Sequence, residues 1–482
     1  MRALLAVAGS ALLALIAESV ARGNYRTLGL GLALALSPIF VRSALRFPLL
    51  FPFGLYLAFV PFDPLLQISA GGATLTKFAG IASIVALLAR TIVLRKALVP
   101  QRSWYGWLAV ITYASLSLVW SIDVEATKFL LGAMLSLFAL FTALAIYPIA
   151  YVEFLWVRRL LIGTGIATAC YGVYAFRSGQ HTLSGPHHNL DRLTITNGTT
   201  QFDPNHYAAF FLIPIAIVVV GFFVDRRPRA KLAYAGIFGL LTSSVLLSGS
   251  RGGLIGIAVI VAYLGIRTRK FVSMGAVVGL ALILSAFIPS VWVRFADPTQ
   301  GDGSGRSEIW ATGLRGLREF WLVGSGFGTY PDVYDAYLLQ AVQRTFAGVH
   351  RPSHSIIVEA AIELGVLGSI ALGLALWWSL RANARVSRND PLFVHRLEAE
   401  GMLAGIIWMA LTIDVLWYKY FWLALTFGLL LANVHRARGR ERYATPVGRR
   451  LRNGEVGTTE RMARTTASTP ARLESTALAP EI

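Results

Sequence analysis

The chain is 482 residues long, 55% hydrophobic and only 14% charged, with a mean hydropathy of +0.60 and a formal net charge of +19. Those values exclude an ordinary soluble globular domain, in which about 25% of residues carry charge. The basic excess is no nucleic-acid footprint, because Arg and Lys lie in alternate loops between apolar runs.

Runs of about 17–25 apolar residues, long enough for a helix to cross a bilayer core, recur along the chain. They fall near 3–20, 27–41, 47–62, 74–94, 104–120, 129–150, 160–176, 206–224, 232–249, 253–266, 271–292, 354–380, 399–415 and 418–434. The expectation is an all-α, polytopic transmembrane helical bundle of about twelve to fourteen spans over 1–434, with a large extracytoplasmic loop between two late spans. The opening Met1-Arg2-Ala3-Leu4-Leu5 resembles a secretory signal, with small residues near Ala21; the spans behind it favour an uncleaved first helix. Residues 435–482 are rich in Arg, Ser, Thr and Pro without apolar period, and are predicted to be a disordered cytoplasmic tail against anionic lipid.

Basic residues cluster at Arg42/Arg46, Arg95/Lys96/Arg102, Arg158/Arg159, Arg226/Arg227/Arg229/Lys231, Arg267/Arg269/Lys270 and Arg381/Arg385/Arg388/Arg396. The positive-inside rule makes these loops cytoplasmic and places both termini inside, with only the Arg22/Arg26 loop running against it. The loops at 63–73, 121–128, 177–205, 249–252, 293–353 and 415–418 are then extracytoplasmic. Loops 177–205 and 293–353 are long enough to carry function, and neither shows strong helix or strand periodicity. No internal repeat is visible, which weighs against an inverted-repeat transporter. Cys170, the only cysteine, excludes an intramolecular disulfide or a thiolate metal cluster and reads as core packing.

In chain order, Asp123-Val124-Glu125 reads as solvated loop charge. Arg192 precedes Asp203-Pro204-Asn205, whose acidic and amide residues suit the cap of the next span. Capping leaves Arg192 unexplained, and two arginines on one side could neutralise a diphosphate. Ser248-Gly-Ser-Arg-Gly-Gly253 is a tight reversal that puts Arg251 at the hydrocarbon edge, where its planar fork suits a phosphate or a lipid headgroup. Arg306 and Glu308 precede a Gly324/Gly326/Gly328 turn. His350 and His354 bracket Pro352 at an expected helix start, where their spacing would put both rings on one face. A neutral imidazole there suits a general base for a sugar hydroxyl. A third ligand for a zinc site is not evident, so neither metal nor cofactor is expected. Glu359 and Glu363 lie within the following span and are expected to pair with a cation, structurally or as orienting groups. Asp414 and Lys419, at the last outer turn, read as interfacial. The absence of Gly-x-x-x-x-Gly-Lys, Asp-x-Asp and dinucleotide fingerprints argues against a nucleotide-driven pump or nucleotide-sugar enzyme.

Taken together, four blocks resemble the O-antigen ligase and polymerase superfamily of bacterial envelope glycan enzymes. They are Pro61-Phe-Asp-Pro64 with Gly71-Gly-Ala-Thr-Leu-Thr-Lys77; Arg192 leading to Gln201-Phe-Asp-Pro-Asn205 and Ala208; Ser250-Arg251-Gly252; and Arg306-Ser-Glu-Ile-Trp310 with Gly324-Ser-Gly-Phe-Gly328, His354-Ser355 and Glu363-Leu-Gly365-Val-Leu-Gly368. They span roughly 50–435. The chain departs from the family at Ser355, where Asn is usual, and at Trp321, where a proline is common before the glycine turn. The resemblance implies metal-independent transfer of a glycan from a polyprenyl (undecaprenyl) diphosphate carrier to a glycan or lipid acceptor, with inversion, during surface polysaccharide synthesis. It implies a multi-pass protein of the bacterial inner membrane, with membrane lipids and envelope-assembly proteins as partners. Arg192, Arg251 and Arg306 would hold the diphosphate and His354, or next His350, would act as base. Asp203, Asn205, Glu308, Glu359 and Glu363 would be supporting residues. The alternatives are a solute transporter with Glu363 as coupling carboxylate, and a non-catalytic envelope scaffold.

Overall fold

The computed structural model describes residues 38–68, 73–179, 181–184, 188–193, 195, 203–287, 292, 305–340 and 348–444. The expected span at 3–20, most of that at 27–41, and the tail beyond 444 lie outside the described residues. Residues 38–46 are helical. Next come α1 (Phe53–Phe59), which runs into a 3-10 turn at Val60–Leu66, α2 (Leu75–Leu94), α3 (Arg102–Leu116), α4 (Val124–Ile146) and α5 (Tyr151–Arg177). An antiparallel hairpin of β1 (His181–Ser184) and β2 (His188–Leu193) precedes α6 (Pro204–Val224), α7 (Pro228–Leu247), α8 (Arg251–Thr268) and α9 (Phe271–Ala286). Three short helices, α10 (Arg306–Gly313), α11 (Leu317–Phe320) and α12 (Tyr330–Leu338), lead to α13 (Ile356–Glu359) and a π-helical turn at Ala360–Leu364. The chain then forms α14 (Gly365–Arg381), α15 (Phe393–Ala410) and α16 (Lys419–Ala444).

The fold is an all-α polytopic bundle. Among the described residues, six helices are long and apolar enough to cross a membrane: α2, α4, α5, α6, α7 and α8. Two of the twelve to fourteen expected spans lie wholly or mostly outside the described residues, and others fall short of that length and composition. Helices α9 and α14 stop at 16 and 17 residues, and α15 carries Arg396, Glu398 and Glu400 within an otherwise apolar run. Those charges are paired: Arg158 Nε donates to Glu398 Oε1 at 2.8 Å, and Arg267 and Arg396 both reach Glu400. Helix α16 continues to Ala444, past the expected edge of the tail at Val434. The 177–205 and 293–353 loops, expected to lack regular structure, contain the hairpin and α10–α12.

Helix starts differ between the two edges of the bundle. On one edge, α2, α4, α6 and α8 are each capped by a side-chain oxygen, from Thr74, Asp123, Asp203 and Ser250. Such caps satisfy N–H groups that the helix itself leaves orphaned. Asp123 is thereby a cap, while Glu125 pairs with Lys128. The opposite edge carries the Arg158, Arg267 and Arg396 pairs, where basic loops were expected.

Helix α6 is apolar on all sides and 89% buried along its span, packed among α7, α8 and α15. Among the described residues, Cys170 is exposed on α5 and not packed in the core. Helices α3 and α14 approach so closely at Gly106 that a Cβ there would lie 2.7 Å from Ala375 Cα. Small residues permit this backbone contact, which replaces the hydrophobic drive that lipid does not supply. Gly106→Val should therefore lower stability by about 1–3 kcal/mol through overpacking, read as a lower thermal midpoint in detergent. Gly132→Val, at a glycine with nothing within 4 Å, is the control; equal midpoints for the two variants would refute the close contact.

Candidate active site at the capped edge

The capped helix starts bring the polar loops together. Arg192, on β2 opposite Thr182, reaches across to the α7–α8 reversal, where its Nε donates to Ser248 O at 2.9 Å. Its Nη2 donates to Asn205 Oδ1 at 3.1 Å. Asp203 alone caps α6, accepting from the backbone N–H groups of Asn205 at 2.6 Å and His206 at 3.4 Å; Asn205, expected to share that task, positions Arg192 instead. The reversal turns at Gly249 with φ +60°, and Ser250 accepts from Gly253 N at 3.2 Å, which sets Arg251 as the first residue of α8. Arg306 and Glu308 begin α10.

All three arginines are half-buried and lie within electrostatic reach of one another. Burial pulls the Arg192 guanidinium below its ordinary pKa, Asp203 opposes this, and the charges of Arg306 and Arg251 add to it. Burial and Arg251 likewise lower Arg306, against Asp203 and Asp414. An anion placed among these guanidinium groups would relieve the repulsion that Arg192 and Arg306 experience.

The second half of the site is a histidine–aspartate pair. Helix α15 ends at Ala410, short of the expected 415, so Asp414 lies in the turn and is almost fully buried. Asp414 Oδ1 accepts from the backbone N–H of His354 at 2.9 Å and from Ser353 Oγ at 3.2 Å. Its Oδ2 is 3.3 Å from His354 Nδ1, at ion-pair distance but off hydrogen-bond alignment. His354 has φ +51°, a left-handed backbone that costs a side-chain-bearing residue about 1–2 kcal/mol. The grip of Asp414 on both backbone and ring maintains that conformation. Burial raises the Asp414 carboxyl, but His354, His206 and Ser353 outweigh it and hold the group below the ordinary carboxylate range. Asp203 is held low in the same way: burial raises it, and His206, the Asn205 N–H, Arg192 and His354 prevail.

His350 and His354 do not share a helix face. The chain is non-helical from 348 to 355, and α13 starts only at Ile356 because both histidines adopt positive φ. His350 is largely exposed and turns to α12, with Nδ1 3.5 Å from Asp335 and 3.9 Å from Asp332. The glutamates differ from expectation too. Among the described residues Glu363 pairs with no cation; its carboxylate accepts from the backbone N–H groups of Gly328 at 2.7 Å and Tyr330 at 3.0 Å. The glycine turn folds onto it with φ of +83°, +113° and +86° at Gly324, Gly326 and Gly328, and a Cβ on Gly326 would meet Ser121 Oγ at 2.4 Å. Glu359 is 1% exposed, and neither carboxylate oxygen has a hydrogen-bond partner among the described residues. Above this turn, α10 and α12 share a small apolar core of Ile309, Tyr330, Val333 and Tyr334 with Val358 and Ile362. Trp310 Nε1 donates to Ser353 O at 2.7 Å, tying α10 to the His354 turn.

Two residues went unrecognised in the sequence. Asp414 read as interfacial charge, although an acid in a short outer turn between two spans was the available signal. His206 follows the Asp-Pro-Asn cap directly; its ring stacks on Tyr418 at 3.8 Å and its Nδ1 is 2.8 Å from Tyr420 Oη.

Because Asp203 and Asp414 have lowered pKa values, the stability they contribute is complete above the ordinary value of 3.8 and is lost as pH falls through the folded-state values. Thermal midpoints of wild type and Asp414→Asn should thus vary in parallel above about pH 5 and diverge below it, the variant showing the shallower acid loss. Identical acid limbs would refute the low carboxyl.

Residues 236–373 match the family model described as O-antigen ligase. The matched stretch contains Arg251, Arg306, the glycine turn, His354, Glu359 and Glu363, while Arg192, Asp203 and Asp414 lie outside it. No curated protein matches the chain. A chain from the solved structure "Structural coordination of polymerization and crosslinking by a peptidoglycan synthase complex" is 18% identical, covering 71% of this chain and 98% of its own. Its TM-score of 0.38 is too low to carry an argument. Over residues 236–373, within a bundle of helices long and apolar enough to cross a membrane, the chain is thus similar to the O-antigen ligase family.

Proposed function

We propose that the protein transfers a glycan from a polyprenyl diphosphate carrier to an acceptor hydroxyl at the outer face of the cytoplasmic membrane. The observation that carries this reading is the trio of mutually repelling arginines beside a histidine whose ring is aligned by a buried aspartate. The O-antigen ligase domain supports a ligase/polymerase-like role in glycan transfer. The donor class, the acceptor and the residue roles are this proposal's own.

In the proposed reaction the acceptor oxygen forms a bond to the anomeric carbon as the bond from that carbon to the diphosphate oxygen breaks. The electron pair leaves with the carrier diphosphate, and attack from the opposite face inverts the anomeric centre. Arg192, Arg251 and Arg306 take the charge that develops on the departing group, where a correctly placed donor is worth about 10²–10³ in rate. Among the described residues, hydrogen bonds to Ser248 and Asn205 use two of the five N–H groups of Arg192, and others are available to phosphate oxygens. Asp414 favours the tautomer with the proton on Nδ1 of His354, so Nε2 is the atom that accepts the acceptor's proton. Asp203 and Asn205 position Arg192, Glu363 fixes the glycine turn beneath the His354 segment, and Glu308 and Glu359 support the site. The positive-inside rule puts this edge outside and both termini in the cytoplasm.

A second reading, a proton-coupled solute transporter, draws on Glu359 as a buried carboxylate without hydrogen-bond partners. Purified protein given a carrier-diphosphate glycan and an acceptor separates the two. Wild type should form product, and Arg251→Ala and His354→Ala should each abolish transfer while membrane insertion is unchanged. Asp414→Asn should lower the rate by about 10²–10⁴, the range for loss of acid–base catalysis. No glycan product from wild type, with solute uptake at full rate in both alanine variants, would overturn the enzyme reading in favour of transport.

A further inference from the structure

The opposite edge of the bundle holds a cavity of about 530 Å3, lined by Arg102, Trp377, Arg381, Arg385, His435 and Arg436 among others, with no carboxylate in its wall. It forms where the start of α3, the end of α14 and the charged part of α16 converge. Its walls are fixed. Gln101 Nε2 donates to Leu429 O and Asn433 Oδ1, Arg436 Nη1 to Val99 O, and Asn383 Nδ2 to Gly428 O. Arg396 also binds the carbonyls of Ala384 and Val386, so the α14–α15 loop is held in place.

Among the described residues, Arg102, Arg381 and Arg385 have no carboxylate within ion-pair distance; Asp390, close by, pairs with His435 at 3.6 Å. The Arg381 guanidinium stacks over Trp377, with Cζ 4.4 Å from the ring. Helix α14 presents Ile370, Leu374 and Trp377 as an exposed stripe that runs from mid-helix to Arg381. Spacings of three and four put them on one face. A basic pocket at the end of an apolar track has the outline of an amphiphile.

We infer that this cavity binds the phosphate headgroup of an anionic phospholipid, with its acyl chains along the Ile370–Leu374–Trp377 face of α14. Guanidinium forks match phosphate oxygens in pairs, and basic pockets between helices at this membrane face select anionic headgroups. The site is separate from the arginine–histidine cluster and independent of its chemistry.

Native mass spectrometry of the full chain in neutral detergent tests the assignment, with phosphatidylglycerol, phosphatidylcholine of matched acyl chains, and inorganic phosphate as probes. Wild type should retain phosphatidylglycerol over phosphatidylcholine. The Arg381→Gln/Arg385→Gln double variant should lose about 30-fold in that affinity, near fivefold for each arginine. Arg388→Gln, on the same loop but outside the cavity, should bind as wild type. Equal retention of both lipids, an equal loss in Arg388→Gln, or inorganic phosphate binding as tightly as lipid would each overturn the proposal. Unchanged thermal midpoints for the double variant exclude misfolding as the cause of its loss, since both arginines are exposed.

Discussion

The structure depends on holding several guanidinium groups at the edge of a low-dielectric medium, where each would otherwise reach out to water. Arg192, Arg251 and Arg306 remain there because separate elements fix them: a hairpin, a helix start and an outer helix. Repulsion among them is balanced only in part by Asp203 and Asp414, both kept ionised by the hydrogen bonds and charges around them. Such a cluster is costly to assemble for stability alone, and it suits the anionic donor proposed for the site.

The same logic explains why the polar machinery gathers at one edge. Side-chain oxygens cap α2, α4, α6 and α8 there, and two of those caps belong to the site, since Asp203 also faces Arg192 and Ser250 directly precedes Arg251. Local helix chemistry and site assembly thus use the same residues. The outer helices add a second layer, with the glycine turn clamped onto Glu363 and α10 tied to the His354 turn through Trp310.

The six apolar spans were legible from the sequence, and the three arginines drew notice there, because each leaves a local signature, an apolar run or a charge where charge is unfavourable. Asp203 as a cap was equally plain, being adjacent to Pro204 at a span start. What could not be read was any partnership across distant segments. Arg192 meets Ser248 over 56 positions, and His354 meets Asp414 over 60. The histidine pair misled for a different reason: four-residue spacing implies a shared face only in a helix, and positive φ at both residues removes the helix. Glu363 misled because backbone amides, which leave no trace in side-chain chemistry, do the work expected of a cation.

Helix α6 stands at the centre of this assembly, with protein rather than lipid around most of its surface. A span in that position takes its height and tilt from neighbouring side chains, whereas peripheral helices adjust to hydrophobic mismatch. The Asp203 end of α6, and with it the anchor for Arg192, is accordingly insulated from changes in bilayer thickness.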